Sequence, residues 1–115
     1  MSAENDIETA SLVYVTCGSL DQARQIGRAV VEARLAACAN ILDGMKSIYR
    51  WEGCVEEGAE VVLLLKTRAS LVDALTERVT ALHSFDLPCV VEIPLKGGNA
   101  KYFAWIAGEA SAEVR

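Results

Sequence analysis

The sequence has little proline and little histidine, and it has no low-complexity stretch. It contains 2 prolines and 1 histidine among 115 residues, with no segment rich in serine, glutamine or proline that would indicate extended disorder. Only the polar start, residues 1–10, is expected to be a flexible N-terminal tail. With 52% hydrophobic residues, residues 11–110 are sufficient for one domain with its own core, followed by a short C-terminal tail over residues 111–115.

Positive charge is also scarce, and no apolar run is long. The net charge of −5 argues against binding to nucleic acid or to an anionic membrane surface. The longest apolar run, Val61 to Leu65, is too short to cross a bilayer. The start of the chain has neither the basic segment nor the apolar run of a signal peptide. We therefore expect a cytoplasmic protein without nucleic-acid or membrane partners.

The sequence lacks the motifs of common catalytic and cofactor sites. Its 4 cysteines, Cys17, Cys38, Cys54 and Cys89, include no C-x-x-C pair, which argues against a structural zinc site and a dense disulfide framework. Free thiols that pack as small hydrophobic groups are expected instead. A single histidine gives no hydrolase triad, and no glycine-rich phosphate loop occurs. We expect neither an enzyme nor an organic cofactor.

The first third of the chain predicts a strand followed by an amphipathic helix. Leu12 to Cys17 is a short apolar, β-branched run ending at a glycine, the pattern of a strand covered on both faces. Ser19 and Gln22 form a capping-box pattern. Apolar residues then recur at helical spacing, which predicts a helix over residues 20–37.

The middle of the chain predicts two further strands. Asp43-Gly44 lies inside residues 38–51 and indicates either a hairpin turn or a bulge in one long bent strand, of which we favour the bulge. Glu52-Gly53 then turns the chain, and an acidic link follows. Val61 to Thr67 is a continuous apolar run, which predicts a strand at the centre of the sheet.

The last third predicts a helix, a strand and a final helix. Ser70 and Asp73 repeat the capping pattern, and this helix should end near His83, ahead of a turn that contains proline. Val90 to Leu95 predicts a fourth strand, whose proline favours an edge or terminal position. Asn99 is suited to cap the last helix.

The predicted order of elements gives an α+β fold. Strand, helix, strand, strand, helix, strand is the βαββαβ order of ferredoxin-like sandwiches, and here an additional C-terminal helix follows it. Helices on one face of a four-stranded sheet leave the other face and the edges uncovered. Because that face would carry Tyr49 and Trp51, the pattern predicts self-association.

Five sequence blocks in one register resemble the CutA divalent-cation tolerance family. The blocks are RLAACANI (residues 34–41), SIYRWEG (47–53), LLLKTR (63–68), LHSFDLP (82–88) and YFAWI (102–106). The resemblance implies a cytosolic homotrimer in which ferredoxin-like subunits extend their long hairpin strands from one subunit to the next. It also implies tolerance to divalent metals and copper binding, without an assigned reaction.

His83 is the first candidate metal ligand. It lies at the end of a predicted helix, where an exposed imidazole suits Cu²⁺ or Zn²⁺, and the family resemblance implies a copper ligand at this position. The alternative is that a protonated His83 complements the negative end of the helix dipole. A single histidine makes only a weak site, so any Cu²⁺ or other divalent ion would be weakly bound.

Cys17 is the second candidate metal ligand, because a thiolate is a soft ligand that favours Cu⁺. In copper-binding relatives the ligand cysteine stands one or two places earlier, where this chain has Val15 and Thr16. Side chains one residue apart on a strand point to opposite faces. A structural thiol is therefore the alternative interpretation of Cys17.

A third group of residues predicts a ligand cleft between subunits. These polar or aromatic residues lie at predicted strand ends and turns: Tyr49, Trp51, Glu52, Lys66, Arg68 and Asp86. A buried Lys66 needs an anionic partner, either a carboxylate of a neighbouring subunit or a bound anion. The main hypothesis is a trimer that binds divalent metals. The alternatives are a trimeric signalling protein that binds an anionic metabolite and a structural or anchoring scaffold.

Overall fold

A computed structural model describes residues 9–113, which form one four-stranded antiparallel sheet with three helices. The elements are β1 (Ala10–Cys17), α1 (Leu20–Glu32), β2 (Cys38–Trp51), β3 (Cys54–Arg68), α2 (Val72–Leu82), β4 (Val90–Pro94) and α3 (Ala100–Glu109). The strand order is β2-β3-β1-β4. The expected ferredoxin-like α+β fold with an additional C-terminal helix is confirmed.

The two ends of the domain differ from the expected tails. Of the predicted N-terminal tail, residues 1–8 lie outside the described residues, and Ala10 already pairs with Arg68 in the sheet. In the predicted C-terminal tail, the N–H of Ala112 donates to the carbonyl of Arg34 at 3.0 Å, whereas residues 114 and 115 lie outside the described part. Among residues 9–113, no helix is long and apolar enough to span a bilayer.

The main core lies between the helices α1 and α2 and one face of the sheet. Alternate residues of the two central strands, such as Val13 in β1 and Leu63 in β3, are fully buried against Ile26 of α1 and Leu75 of α2. A strand covered in this way is necessarily rich in apolar residues. The prediction that the run in β3 lies at the centre of the sheet is confirmed.

Helix α1 starts as predicted and ends earlier. The hydroxyl of Ser19 accepts the N–H of Gln22 at 3.1 Å, so the predicted cap is present. The helix ends at Glu32 rather than at residue 37, because Arg34 adopts a left-handed backbone with φ 60°. The N–H of Ala37 then bonds to the carbonyl of Lys66 at 2.8 Å. The apolar residues 35–37 therefore cover the core as an irregular segment and not as a helical turn.

Strands β2 and β3 form a hairpin that is longer than predicted. The bulge at Asp43-Gly44 is confirmed by a register shift between Leu42 and Met45. The two-residue turn at Glu52 and Gly53 is also confirmed, with φ of 49° and 83°. The acidic segment after the turn is not a link: it pairs with β2 from Trp51 onward and forms the first half of β3.

Helix α2 lacks the predicted side-chain cap. Residues Ala69–Leu71 form a short 3-10 turn, and α2 begins at Val72 without a capping hydrogen bond from a side chain. Leu71 is buried, so apolar packing fixes this helix start. The predicted end of α2 is confirmed, since His83 is its C-terminal cap residue.

The last strand and helix follow the prediction closely. Among the described strands β4 pairs only with β1, so its proline, Pro94, lies on an edge strand. The side chain of Asn99 accepts the N–H of Lys101 at 3.0 Å and caps α3. Ile106 of α3 is buried in a second apolar cluster with Ala10 and Ala110. Helix α3 therefore covers one end of the sheet.

Candidate functional site

A cavity of about 960 Å³ lies between the β2-β3 hairpin and the segment that follows α2. Tyr14 and Thr16 of β1 line it on the sheet face opposite the helices, because their neighbours Val13, Val15 and Cys17 point into the core. We call this surface the open face. The hairpin contributes Tyr49 and Trp51, and the segment over residues 84–87 contributes Phe85 and Asp86.

Acidic groups dominate the charge of this cavity. Glu56, Glu60 and Asp86 line it together with one lysine, Lys46. The ion pairs between described residues, Arg28–Glu32 and Arg34–Glu109, join residues of α1, of the segment after it and of α3, and include none of the three cavity carboxylates. The pKa of Tyr14 is raised, first by burial and then by its electrostatic interactions with Cys89 and Glu60. The cavity is therefore negatively charged.

His83 lies beside this cavity, and both of its ring nitrogens are hydrogen-bonded. The N–H of Phe85 donates to Nδ1 at 3.1 Å, so Nδ1 carries the lone pair. Nε2 then carries the proton and donates to the carbonyl of Thr16 at 2.8 Å. The ring also packs at 4.7 Å against that of Phe85. Through its bond to Thr16, the neutral imidazole links the segment after α2 to the end of β1.

The expectation of an exposed imidazole at His83 is wrong. The residue is only 9% exposed, because the segment before the proline folds back over β1. As folded, the ring offers no free lone pair to a metal ion. Its neutral form also carries no charge that could complement the helix dipole.

Cys17 is buried in the main core. Burial, and secondly the charge of Glu60, raise its pKa to about 11, which favours the thiol over the metal-binding thiolate. No group of three or more His, Cys, Asp or Glu side chains suited to a metal ion occurs within residues 9–113. Neither His83 nor Cys17 thus forms a ready-made copper site in the single folded chain.

The predicted cleft residues separate into three places. Tyr49, Trp51 and Asp86 line the cavity. Glu52 lies in the hairpin turn, and the guanidinium of Arg68 donates to the carbonyl of Ala110 at 3.2 Å. Within one chain these six residues do not share a cleft, and the predicted cleft between subunits stays a prediction.

Lys66, the sixth of these residues, lies against helix α3. Its ammonium donates to the hydroxyl of Tyr102 at 3.1 Å and lies 5.3 Å from the centre of that ring. The hydrogen bond to Tyr102 is the first cause of its raised pKa, which burial partly opposes. Because Lys66 is only half-buried, the Tyr102 hydroxyl and solvent can accept the hydrogen bonds of its ammonium group. Within the chain it therefore needs no carboxylate partner.

Sequence reasoning missed Glu56 and Glu60 as cavity residues. They share the open face with Tyr49 and Met45, their direct partners across the hairpin. The signal was present, because residues two apart on a strand lie on the same face, which places residues 54, 56, 58 and 60 together. It was missed since an acidic segment with a glycine was interpreted as a link. Thr16 and Phe85 carried no comparable signal, because their position depends on long-range packing.

The family model described as "CutA1 divalent ion tolerance protein" matches residues 11–109 of this chain. This chain belongs to the CutA1 family. Among relatives of the family, a "Divalent-cation tolerance protein CutA" from Thermus thermophilus is 46% identical over 95 residues, which are 83% of this chain and 92% of that protein. "Protein CutA 1, chloroplastic" from Oryza sativa subsp. japonica is also 46% identical over 95 residues, 83% of this chain and 54% of that one.

Solved structures of the CutA1 family have the same fold. The crystal structure of CutA1 from Oryza sativa has a TM-score of 0.88 at 42% identity, and the match covers 94% of this chain and 98% of that one. The structure of the Thermus thermophilus protein gives a TM-score of 0.85 at 44% identity, covering 87% of this chain and 97% of that one. This chain spans about half the length of the plant CutA relatives it matches in sequence.

Proposed function

We propose that this CutA1-family protein acts in divalent-cation tolerance as a homotrimer that binds divalent metal ions weakly, with Cu²⁺ as the first candidate. The observation that carries the metal role is the family match over residues 11–109. A relative with 46% identity is itself named a divalent-cation tolerance protein. The cytoplasmic location and the absence of enzymatic activity remain predictions from the sequence.

The uncovered hairpin supports the trimer. Its distal half carries apolar side chains on both faces: Ile48 and Val55 are 70% and 63% exposed on one face, and Tyr49 and Trp51 are 44% and 41% exposed on the other. No helix of the described chain covers this half. β2 is also an edge strand with a free row of backbone groups. A second copy of the chain would cover both the apolar faces and the edge.

The geometry around His83 supports weak binding of the metal. An ion at Nδ1 has to displace the N–H of Phe85, and an ion at Nε2 has to displace the proton that bonds to Thr16. Either change costs a buried hydrogen bond of about 1 kcal/mol. Cys17 is the less favoured second ligand, because its raised pKa opposes the thiolate.

Native mass spectrometry with and without added Cu²⁺ tests both parts of this proposal. We expect a trimer mass and copper adducts that are reduced in His83→Gln, whose amide can replace the bond to Thr16. Cys54→Ala is the matched control, because Cys54 is an exposed potential ligand away from His83. Folded single chains at low concentration would contradict the trimer. Copper adducts that are unchanged in His83→Gln would place the metal elsewhere.

Nothing in the geometry favours the hypothesis of an anionic metabolite over the metal role. Within one chain Lys66 contacts Tyr102 on α3 rather than Trp51 or Asp86, and the cavity carries more carboxylates than ammonium groups. A cleft between subunits that brings Lys66, Trp51 and Asp86 together stays a prediction. The scaffold hypothesis remains a prediction that co-purification of a partner protein would support.

A further inference from the structure

His83 and the segment that follows it are held by hydrogen bonds within one chain. Nε2 of His83 donates to the carbonyl of Thr16 at 2.8 Å, and Nδ1 accepts the N–H of Phe85 at 3.1 Å. The next anchor is the N–H of Ser84, which donates to Oε1 of Gln22 on α1 at 3.0 Å. A second copy of the chain that covers the open face would leave these bonds in place, because every donor and acceptor belongs to the same chain.

The two ring nitrogens of His83 are not equivalent toward a metal ion. Nε2 faces the carbonyl of Thr16, which is only 8% exposed and belongs to a central strand, so the sheet holds this partner in place. A histidine that binds a metal usually donates its other ring N–H to a carboxylate or a backbone carbonyl, which fixes the tautomer. The bond to Thr16 is of this kind and leaves the lone pair on Nδ1. Nδ1 is therefore the nitrogen suited to bind a metal ion.

A part of the chain without regular structure covers Nδ1. The N–H of Phe85 that occupies the lone pair belongs to residues 84–87, which lie in neither a helix nor a strand. Besides that bond, the bond from Ser84 to Gln22 and the packing of the Phe85 ring at 4.7 Å from the His83 ring hold this segment. Segments held by few contacts open at low cost. An outward turn of residues 84–87 would free Nδ1 and leave the bond to Thr16 intact.

We propose that residues 84–87 are a gate on the metal site: His83 binds a divalent metal ion through Nδ1 only when this segment has turned away with the N–H of Phe85. The metal ion then stabilises the open segment, because it occupies the lone pair that the closed segment needs. Since only the open fraction binds, the gate lowers the apparent affinity. This inference rests on the proposed metal role of His83 and adds which nitrogen binds and what controls access to it.

A change that weakens the closed segment without touching His83 provides the test. Gln22→Ala removes the acceptor of the Ser84 N–H, so the open segment becomes more populated and the apparent affinity for Cu²⁺ should rise. We expect a rise of about twofold to fivefold, the value of one exposed hydrogen bond. Titration calorimetry of the assembled protein measures it, with Cys54→Ala as the background because the exposed thiol of Cys54 could bind copper itself.

Gln25→Ala is the matched control on the same helix. It removes a 3.5 Å contact with Nε2 of Gln22 and leaves Oε1 of Gln22 bonded to Ser84, so the affinity for Cu²⁺ should not change. A purely structural role of Gln22 would leave copper binding unchanged or weaken it. Either result, or an equal rise in both variants, would overturn the gate.

Amide hydrogen exchange of Phe85, followed by mass spectrometry, reports the opening itself. We expect saturating Cu²⁺ to speed this exchange about fivefold or more, the value of one hydrogen bond, and to leave the amide of Ala112, bonded to Arg34, unchanged. Unchanged exchange at Phe85 with a copper heat that depends on His83 would contradict the gate alone. A copper heat that His83→Gln does not reduce would contradict the metal role, and the gate with it.

Two variants of His83 test its bond to Phe85 in the absence of metal. In His83→Asn the amide oxygen lies close to the position of Nδ1 and can accept the N–H of Phe85. In His83→Gln the longer amide keeps the bond to Thr16 and gives up that acceptor. The Phe85 amide should therefore exchange about fivefold faster in His83→Gln than in His83→Asn. Equal rates would mean that Nδ1 does not hold the segment and would overturn the proposal.

Discussion

The hydroxyl of Thr67 donates a 2.7 Å hydrogen bond to the carbonyl of Leu35, and Thr67 is fully buried. Leu35 belongs to the irregular segment after α1, whose carbonyl groups have lost their helical partners. The neighbouring bond from the N–H of Ala37 to the carbonyl of Lys66 ties the same segment to β3. These two bonds replace the helical turn that the sequence pattern had predicted.

Thr67→Val should therefore destabilise the protein. Valine has nearly the same shape and the same preference for strands, but it leaves the buried carbonyl of Leu35 without its donor, at a cost of about 1–3 kcal/mol. Urea unfolding followed by circular dichroism measures this loss. Thr16→Val is the matched control in β1, where no described residue hydrogen-bonds the Thr16 hydroxyl, and it should change stability by less than about 0.5 kcal/mol. Equal losses in the two variants would refute the structural role of the Thr67 bond.

The fold was predictable from the sequence where local signals and packing agree. The strand at Val61, the cap at Ser19 and the bulge at Asp43-Gly44 have a period, a side chain or a backbone preference that acts over a few residues, and all three are present. The end of α1 could not be predicted from such local signals. Arg34 adopts φ 60° although nothing in its side chain requires it, because long-range bonds to β3 hold the next residues.

The candidate site was harder to predict for a related reason. The exposure of His83 was misjudged, because its partners at Thr16 and Phe85 are set by the return of the chain over β1. The acidic half of β3 was misjudged since its strand structure derives from pairing with β2 rather than from propensity. The face on which Tyr49 and Trp51 lie was predicted correctly, because simple alternation along β2 decides it.

The hairpin turn provides a second stability prediction. Gly53 has φ 83°, a backbone conformation that costs an L-residue about 1 kcal/mol. Gly53→Ala should lower the free energy of unfolding by about that amount, which thermal melts can measure. Gly58→Ala is the control within the same hairpin, since a Cβ there meets no atom within 4 Å and the backbone is not left-handed. An equal loss for Gly58→Ala would mean that the turn conformation is not the cause.

The thiol of Cys17 predicts a change of stability with pH. Its pKa is raised from 9.0 to about 11 in the folded chain, so the folded state retains a proton that the unfolded state releases. The stabilisation is fully present below pH 9 and is lost as the pH rises toward 11, by on the order of 2 kcal/mol. Urea unfolding at several pH values should show a steeper decline in the parent protein than in Cys17→Ala. Identical slopes in the two proteins would contradict the raised pKa.

The apolar hairpin provides the last prediction, on assembly. Val55 is 63% exposed on the hairpin face opposite Tyr49, so Val55→Lys should hardly affect the folding of one chain. If the distal hairpin packs against other copies, the same change places a charge in an apolar interface, where an unpaired charge costs several kcal/mol. Sedimentation velocity over a dilution series should then show dissociation at higher concentrations than for the parent protein. Leu20→Lys is the control, because Leu20 is 41% exposed at the start of α1, away from the hairpin. Dissociation of the Leu20 variant alone would indicate an interface on the helical face and would contradict assembly through the hairpin.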